Sequence, residues 1–377
     1  MMRSKAIPVL VFILTFSASV THVRPAMAQS QGAPDHSQHL RVFTGEGIPA
    51  TLQDIVDAMA GVDAVLIGEI HTDPVGHWIE AELFQEALEL VAAGQEKGAL
   101  RPLALSLEMF ERDVQYIVDE YLAGLITESQ FLASARPWEH YESDYRPMVE
   151  AAKEAGIPVL AANAPRRYVN RVSRLGPSTL EDLPPSALKS LPPLPFPPPT
   201  DEYRGEWTDL MTNMVMEDQC PAPEPSEAAP EAGHPDPGPP PPHVQPPTEE
   251  PAGPPAESPA GPPAGMPSHG GSFMENGLQA QTLWDASMAH AVTTFLDLNP
   301  GGLVLHMVGG FHVKNFTGIP EKVQFYRPGT RTLVVHMDLA ADINSFDADE
   351  HAGRGDFVIL TDEALDLYVQ RNCVDAG

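Results

Sequence analysis

Apolar residues recur along this chain in two rhythms. Short unbroken apolar runs, the mark of strands buried on both faces, alternate with longer stretches in which apolar positions return every third or fourth residue, the mark of helices. Val65-Leu66-Ile67-Gly68 is one such run, and through Glu69-Ile70-His71-Thr72 it passes directly into a helix that opens at Asp73-Pro74. A carboxylate at the N-cap satisfies an orphan N–H, and proline at the first helical position gives up an N–H that had no partner. Trp78, Leu83, Phe84, Leu88 and Val91 carry that helix to about Ala93, where Gly94 offers a stop. Pro102 to Leu107 predicts a second strand ending at Glu108, and Arg112 to Leu122 a helix closed near Gly124. Thr127-Glu128-Ser129-Gln130 has the form of a capping box and opens another helix. Pro147 to Ala155 is a helix stopped by Gly156, and Ile157 to Ala162 a third strand ending at Asn163. Leu278 to Leu298 predicts a long helix, and Gly302 to Val308, Arg331 to His336 and Asp356 to Leu360 the last strands. Strands separated by helices require right-handed crossovers, so the expected fold is α/β, a mainly parallel sheet with helices on both faces.

Two segments break the rhythm. At the N-terminus, Arg3 and Lys5 precede an apolar run from Ala6 to about Val20, followed by Ala26-Met27-Ala28. At about 15 residues the run is short of the roughly 20 that span a bilayer, so residues 1–28 read as a cleaved secretory signal and the protein as exported, periplasmic or secreted. Residues 29–50 read as a linker. The second break is compositional: from Pro221 to about Gly271 the chain is nearly all Pro, Gly, Ala, Glu and Ser. Such a segment buries too little apolar surface to offset its ordering entropy, so residues 221–272 are expected to be a disordered insertion. Both flanks look folded, which makes residues 51–220 and 273–377 two parts of one domain.

The formal net charge of −30 repels nucleic acid and anionic membrane surfaces and argues against both as partners, while cationic ligands and metals stay open. Cys220 and Cys373, the only cysteines, are too few for a disulfide scaffold or a thiolate metal site. They are either one tie between the C-terminal tail and the edge of the insertion or two free thiols.

Polar residues follow the strands where an open α/β sheet binds ligands, at its carboxyl edge. Glu69 and His71 follow the first strand, Glu108 the second and Asn163 the third, and His312 follows the fourth through Gly309-Gly310-Phe311. Each of two Gly-x-x-His turns places an imidazole on a short loop, the glycine being expected to let the backbone turn sharply.

Gly68-Glu69-Ile70-His71, Leu107-Glu108-Met109-Phe110, Trp138 with Tyr141 and Tyr145, Ala161-Ala162-Asn163-Ala164-Pro165, Gln281 to Ala289 and Gly309-Gly310-Phe311-His312 together resemble the ChaN-like haem-binding uptake family of the Tiki superfamily. The resemblance runs from about Thr51 to Met337, apart from the Pro-rich insertion. It implies an α/β fold and haem held face to face between two protomers, in bacterial iron acquisition. It also implies a tyrosine on the iron, which places Tyr141 or Tyr145 as candidates. Other branches of the superfamily, similar in the two Gly-x-x-His turns and the glutamate, include a metal-dependent protease and erythromycin-esterase-like hydrolases.

Haem needs an axial ligand, apolar or aromatic walls, and cations or N–H groups for its propionates. The loop Trp138-Glu139-His140-Tyr141-Glu142-Ser143-Asp144-Tyr145 supplies an aromatic wall, an imidazole and two phenols, and Arg166 and Arg167 open a helix just after Asn163 and Pro165. The alternative is a hydrolase. There, His71, Glu108 and His312, with Glu69 close by, hold a divalent transition metal that activates water, or a His and Glu act on the water directly. No His-Glu-x-x-His helix and no Gly-x-Ser-x-Gly turn is present to strengthen that reading.

Overall fold

The computed structural model describes residues 35–98, 100–217 and 270–365. The signal segment, both cysteines and most of the Pro-rich insertion lie outside the described residues. The chain divides into two units, Met1–Gln38 and His39–Gly377. The described part of the first holds a single 3-10 turn, His36–Gln38.

In the second unit the chain opens with strands β1 (Leu40–Thr44) and β2 (Pro49–Ala50) and helix α1 (Leu52–Met59). Then come β3 (Ala64–Glu69), α2 (Pro74–Glu96), β4 (Leu103–Glu111), α3 (Gln115–Leu122), α4 (Glu128–Ala135), α5 (Tyr141–Asp144), α6 (Arg146–Ala155) and β5 (Val159–Asn163). The second half runs α7 (Arg166–Leu175), α8 (Pro185–Leu188), α9 (Asp201–Glu217), α10 (Gly270–Leu298), β6 (Leu303–Gly309), α11 (Ile319–Tyr326), β7 (Thr332–Ala340), α12 (Ala348–His351) and β8 (Phe357–Asp362). One 8-stranded sheet results, in the order β2-β1-β8-β7-β3-β6-β4-β5. From β8 to β5 neighbouring strands are parallel, and β1 and β2 join antiparallel at one edge.

Successive strand residues point to opposite faces, and the two faces are covered by different helices. Val65, Ile67, Leu105 and Leu305 pack with Ile79, Leu83 and Phe84 of α2, Phe131 of α4 and Val149 of α6. Leu66, Ala104, Val304 and Val334 face the other way, onto Met288 and Val292 of α10 and Val323 of α11. A satellite cluster joins Val169 and Val172 of α7 to Leu283 and Ala286 of α10, beneath Leu180, Leu191 and Phe196. Helices therefore cover both faces, as the patterning requires. Among the described residues no helix is long and apolar enough to cross a membrane.

Several boundaries differ from expectation. The stretch read as a linker contains β1 and β2, which extend the sheet, β1 pairing with β8 and β2 with β1. Strand β4 continues past Leu107 to Glu111, with an irregularity in its pairing to β5. Helix α2 runs through Gly94 to Glu96, and α10 is already helical at Gly270, inside the span assigned to the insertion. A glycine tolerates helical backbone, so neither composition nor Gly94 alone stops a helix whose neighbours continue its packing.

Candidate functional site

The carboxyl edge of β3, β6 and β4 carries the site, and α2 begins directly above it. Asp73 caps α2 through its carboxylate, which accepts from the Val75 N–H at 2.8 Å, and Pro74 follows as expected. The glycines of the two Gly-x-x-His turns act differently from the expected role. Neither has positive φ. They are required by closeness: a Cβ on Gly68 would lie 2.7 Å from Val313 Cγ2 and 3.0 Å from Gly310 Cα, and one on Gly309 would lie 2.8 Å from His71 Nε2.

Glu69 ends β3 with the parity of Val65 and Ile67, so it points toward α2 and is buried there. Its Oε1 accepts hydrogen bonds from His71 Nδ1 at 2.6 Å and from the Tyr145 hydroxyl. Its Oε2 lies 3.5 Å from Nδ1 of His77, a residue of α2 whose same nitrogen is 3.2 Å from Glu80 Oε2. His77 Nε2 is 3.2 Å from the His71 carbonyl oxygen and 3.5 Å from Asp144 Oδ2. Burial opposes charge on Glu69, but the hydrogen bond from His71 and the charge of His77 hold it well below the usual carboxylate range. Glu80 is pushed well above that range by its burial and by Glu69. For His71 and His77 burial is again outweighed, by Glu69 and Glu108 in the first case and by Glu80 and Glu69 in the second, which raises them to about 9 and about 10.

Glu108 turns to the other side. Its Oε2 accepts from the Gly309 N–H at 2.8 Å, and Oε1 is 3.6 Å from His312 Nε2. His312, buried in the turn after β6, sets Nδ1 2.5 Å from Asp285 Oδ1 of α10, with Gln281 3.3 Å from Nε2. Burial resists protonation of this imidazole, yet Glu108 and Asp285 raise its pKa. His71 joins the two halves: its Nε2 is 4.0 Å from Glu108 Oε2, and 44% of its side chain stays exposed. Asn163, at the end of β5, spends its side-chain oxygen on the Ala164 N–H.

The four residues expected as one metal set are thus brought to one edge but divided, Glu69 toward α2 and Glu108 with His312 toward α10. The described residues whose ligand atoms do converge are Glu69, His77 and Glu80, all within 4.8 Å of one another. His77, Glu80, Asp144 and Asp285 were not anticipated from the sequence. The usable signal was the His-x-x-Glu spacing in the first turns of α2, which puts both side chains on one helix face.

The aromatic loop lies beside this cluster. Trp138 meets His71 edge-on at 4.7 Å and Tyr145 at 6.0 Å. Both candidate iron-ligating tyrosines are interior. The Tyr145 hydroxyl is held by Glu69, and Tyr141 packs against Phe110 and Phe131 with its hydroxyl buried and without a partner. Burial pushes both phenols well above their ordinary range. His140 is exposed, in the left-handed region at φ 52°. An open hollow of about 580 Å³ is lined by Leu132, Pro137, Trp138, Glu139, His140, Tyr141, Glu142 and Ser143. Next to Pro137, Arg136 pairs with Glu111 at 2.9 Å and Asp113 at 2.7 Å, and Arg167 pairs with the same Asp113 at 2.5 Å. Arg166, beside it at the start of α7, is exposed.

The family described as haem-binding uptake, Tiki superfamily, ChaN, matches residues 55–323. The chain belongs to this family. Among solved structures it is similar to ChaN of Campylobacter jejuni, described with cofacial haem, at 13% identity and a TM-score of 0.56, covering 86% of this chain and 97% of that one. At that identity the likeness speaks for the shared fold. Lower similarity links it to the type III effector HopBA1 (13% identity, TM-score 0.39, covering 82% of this chain and 93% of that one). A mutant erythromycin esterase EreC follows (9% identity, TM-score 0.38, covering 86% and 83%). No curated protein matches the sequence.

Proposed function

We propose that this ChaN-family chain binds haem in the hollow beside Trp138, outside the cytoplasm, in haem or iron acquisition. The observation that carries this reading is the hollow itself, built from the loop that holds the aromatic and imidazole groups, with its Trp138 meeting the half-exposed His71 edge-on. A broad, open depression suits a flat ring that keeps one face outside, and that outer face would meet the haem of a second copy in a cofacial pair. Trp138 offers the wall, and Arg136, Arg166 and Arg167 offer positive charge for propionates, Arg136 and Arg167 already being oriented by Asp113. Bound iron would supply the site with a Lewis-acidic centre for an axial donor, and His140 is the loop donor on the surface. Tyr141 and Tyr145 are available to iron only after leaving the interior. The amino-terminal segment to Ala28, with its signal-like sequence, supports export.

Absorption spectra of haem-loaded His140→Ala, Tyr141→Phe and Tyr145→Phe test the assignment. A changed spectrum in one folded variant identifies the axial donor, and unaltered spectra in all three and in the triple variant would move the ligand out of this loop.

A second reading is favoured by the Asp285–His312–Glu108 alignment, in which a carboxylate orients an imidazole toward a second carboxylate. Such a group activates water in hydrolases, directly or through a divalent ion, with His71 opposite. Hydrolysis of a peptide or ester that disappears in both His71→Ala and His312→Ala would establish it. The haem reading expects no such turnover.

A further inference from the structure

We infer that Glu69, His77 and Glu80 form a buried site for one divalent first-row transition metal ion, of the Mn²⁺, Fe²⁺ or Zn²⁺ class, set beneath the surface residues His71 and Trp138. This site is independent of haem binding and differs from the set read from the sequence, since His71, Glu108 and His312 are not its donors.

Spacing is the first observation. His77 Nδ1 stands 3.5 Å from Glu69 Oε2 and 3.2 Å from Glu80 Oε2. Donors bonded to one tetrahedral ion at roughly 2.0–2.2 Å are about 3.4 Å apart, so the three need only small movements to close on it.

The second observation is how the other atom of each side chain is employed. Glu69 Oε1 is committed to His71 and Tyr145, whereas Oε2, on the His77 side, is buried and has no hydrogen-bond partner. Glu80 Oε1 is likewise buried and unpartnered, in a residue with no exposed surface. On His77, Nε2 faces the His71 carbonyl oxygen. A carbonyl only accepts, which puts a ring hydrogen on Nε2, so Nδ1, facing two carboxylates, is the ring atom that a metal ion would take in place of a proton. An imidazole whose far N–H is held by a carbonyl or carboxylate, here also Asp144 at 3.5 Å, is the usual arrangement of a metal-bound histidine.

Donor type is the third. One nitrogen and two carboxylates, without thiolate and without the six to eight oxygens calcium takes, suit the first-row divalent ions named.

The test uses the full chain, stripped with chelator, dialysed, and offered Mn²⁺, Fe²⁺ or Zn²⁺ separately, with metal content and thermal midpoint as readouts. The expected result is about one retained equivalent of at least one ion and a midpoint raised by several degrees. Glu80→Gln, which keeps the shape and removes the carboxylate donor, should lose both the equivalent and the increment, while its metal-free midpoint stays at or above that of the metal-free wild type. His77→Gln should lose the equivalent as well; if it does not fold, Glu80→Gln decides. No retained ion with any of the three metals overturns the inference. So does equal retention in wild type and Glu80→Gln, which would place the ion elsewhere, for instance on the histidines of the Pro-rich segment, His234, His243 and His269.

Discussion

Gly309 is held so close to His71 that a methyl group there has to displace the imidazole, whereas a methyl on Gly68 meets Val313 and the Gly310 backbone. The two alanine variants should therefore separate. Gly68→Ala is expected to cost about 1–3 kcal/mol because packed interior atoms must shift. Gly309→Ala meets the side chain of a half-exposed residue, so it should leave stability nearly intact and weaken haem binding. Equal destabilisation in denaturant melts would show that His71 is as rigid as the core. A second residue-scale prediction concerns His306, fully buried on β6 with Nδ1 2.9 Å from Ser106 Oγ. Burial lowers its pKa from 6.5 to about 3. Both folded and unfolded chains leave it neutral above pH 6.5. Between 6.5 and 3 the unfolded chain takes up a proton that the folded chain refuses, so stability falls with acid, by up to about 1.4 kcal/mol per pH unit. Melts at pH 7 and pH 4 should show a smaller acid loss in His306→Gln than in wild type, and an equal loss would contradict a neutral buried ring. The polar residues flanking the strands were legible because strands end where apolar runs end. His77 and Glu80 were not, because charged residues in a helix normally belong to its solvent face, whereas the first turns of α2 are buried beneath Tyr145 and Asp144. The parity of Glu69 with Val65 and Ile67 was in the sequence, but which helix waits on that face was not.

Among the elements, α2 has the clearest start. Asp73 is buried, caps Val75, and begins the helix that delivers His77 and Glu80. Asp73→Ala should cost about 1 kcal/mol through loss of the cap. An unchanged midpoint would mean that tertiary packing alone sets the start of α2. The six parallel strands were legible as apolar runs because each is buried on both faces. β1 and β2 were not: the first has five residues without a regular apolar pattern and the second has only two, so neither stands out from a loop until β1 pairs with β8 and β2 with β1. The capping box at Thr127 held in detail, its hydroxyl accepting from the Gln130 N–H. Both ends of that signal lie within four residues of one another, so it needs no tertiary information.

At the scale of the molecule, the order of strands decides where the edge residues meet, and a sequence does not state that order. The chain leaves β3, places β4 and β5 to one side, and returns to insert β6 between β3 and β4. That return is what sets the turn carrying His312 beside His71, at a position where open α/β sheets bind ligands. The Pro-rich segment falls between α9 and α10, and its composition argues against a part in the core. Removal of residues 221–269 should leave the thermal midpoint nearly unchanged, and a large loss would show that the segment packs on the domain. The central claim, that this member of the ChaN family binds haem, is tested most directly by titrating the purified full chain with haemin and following the Soret band. The account predicts a shifted band that saturates at a fixed stoichiometry near one haem per chain and weakens in Trp138→Ala. A spectrum that stays that of free haemin at micromolar concentration would contradict it.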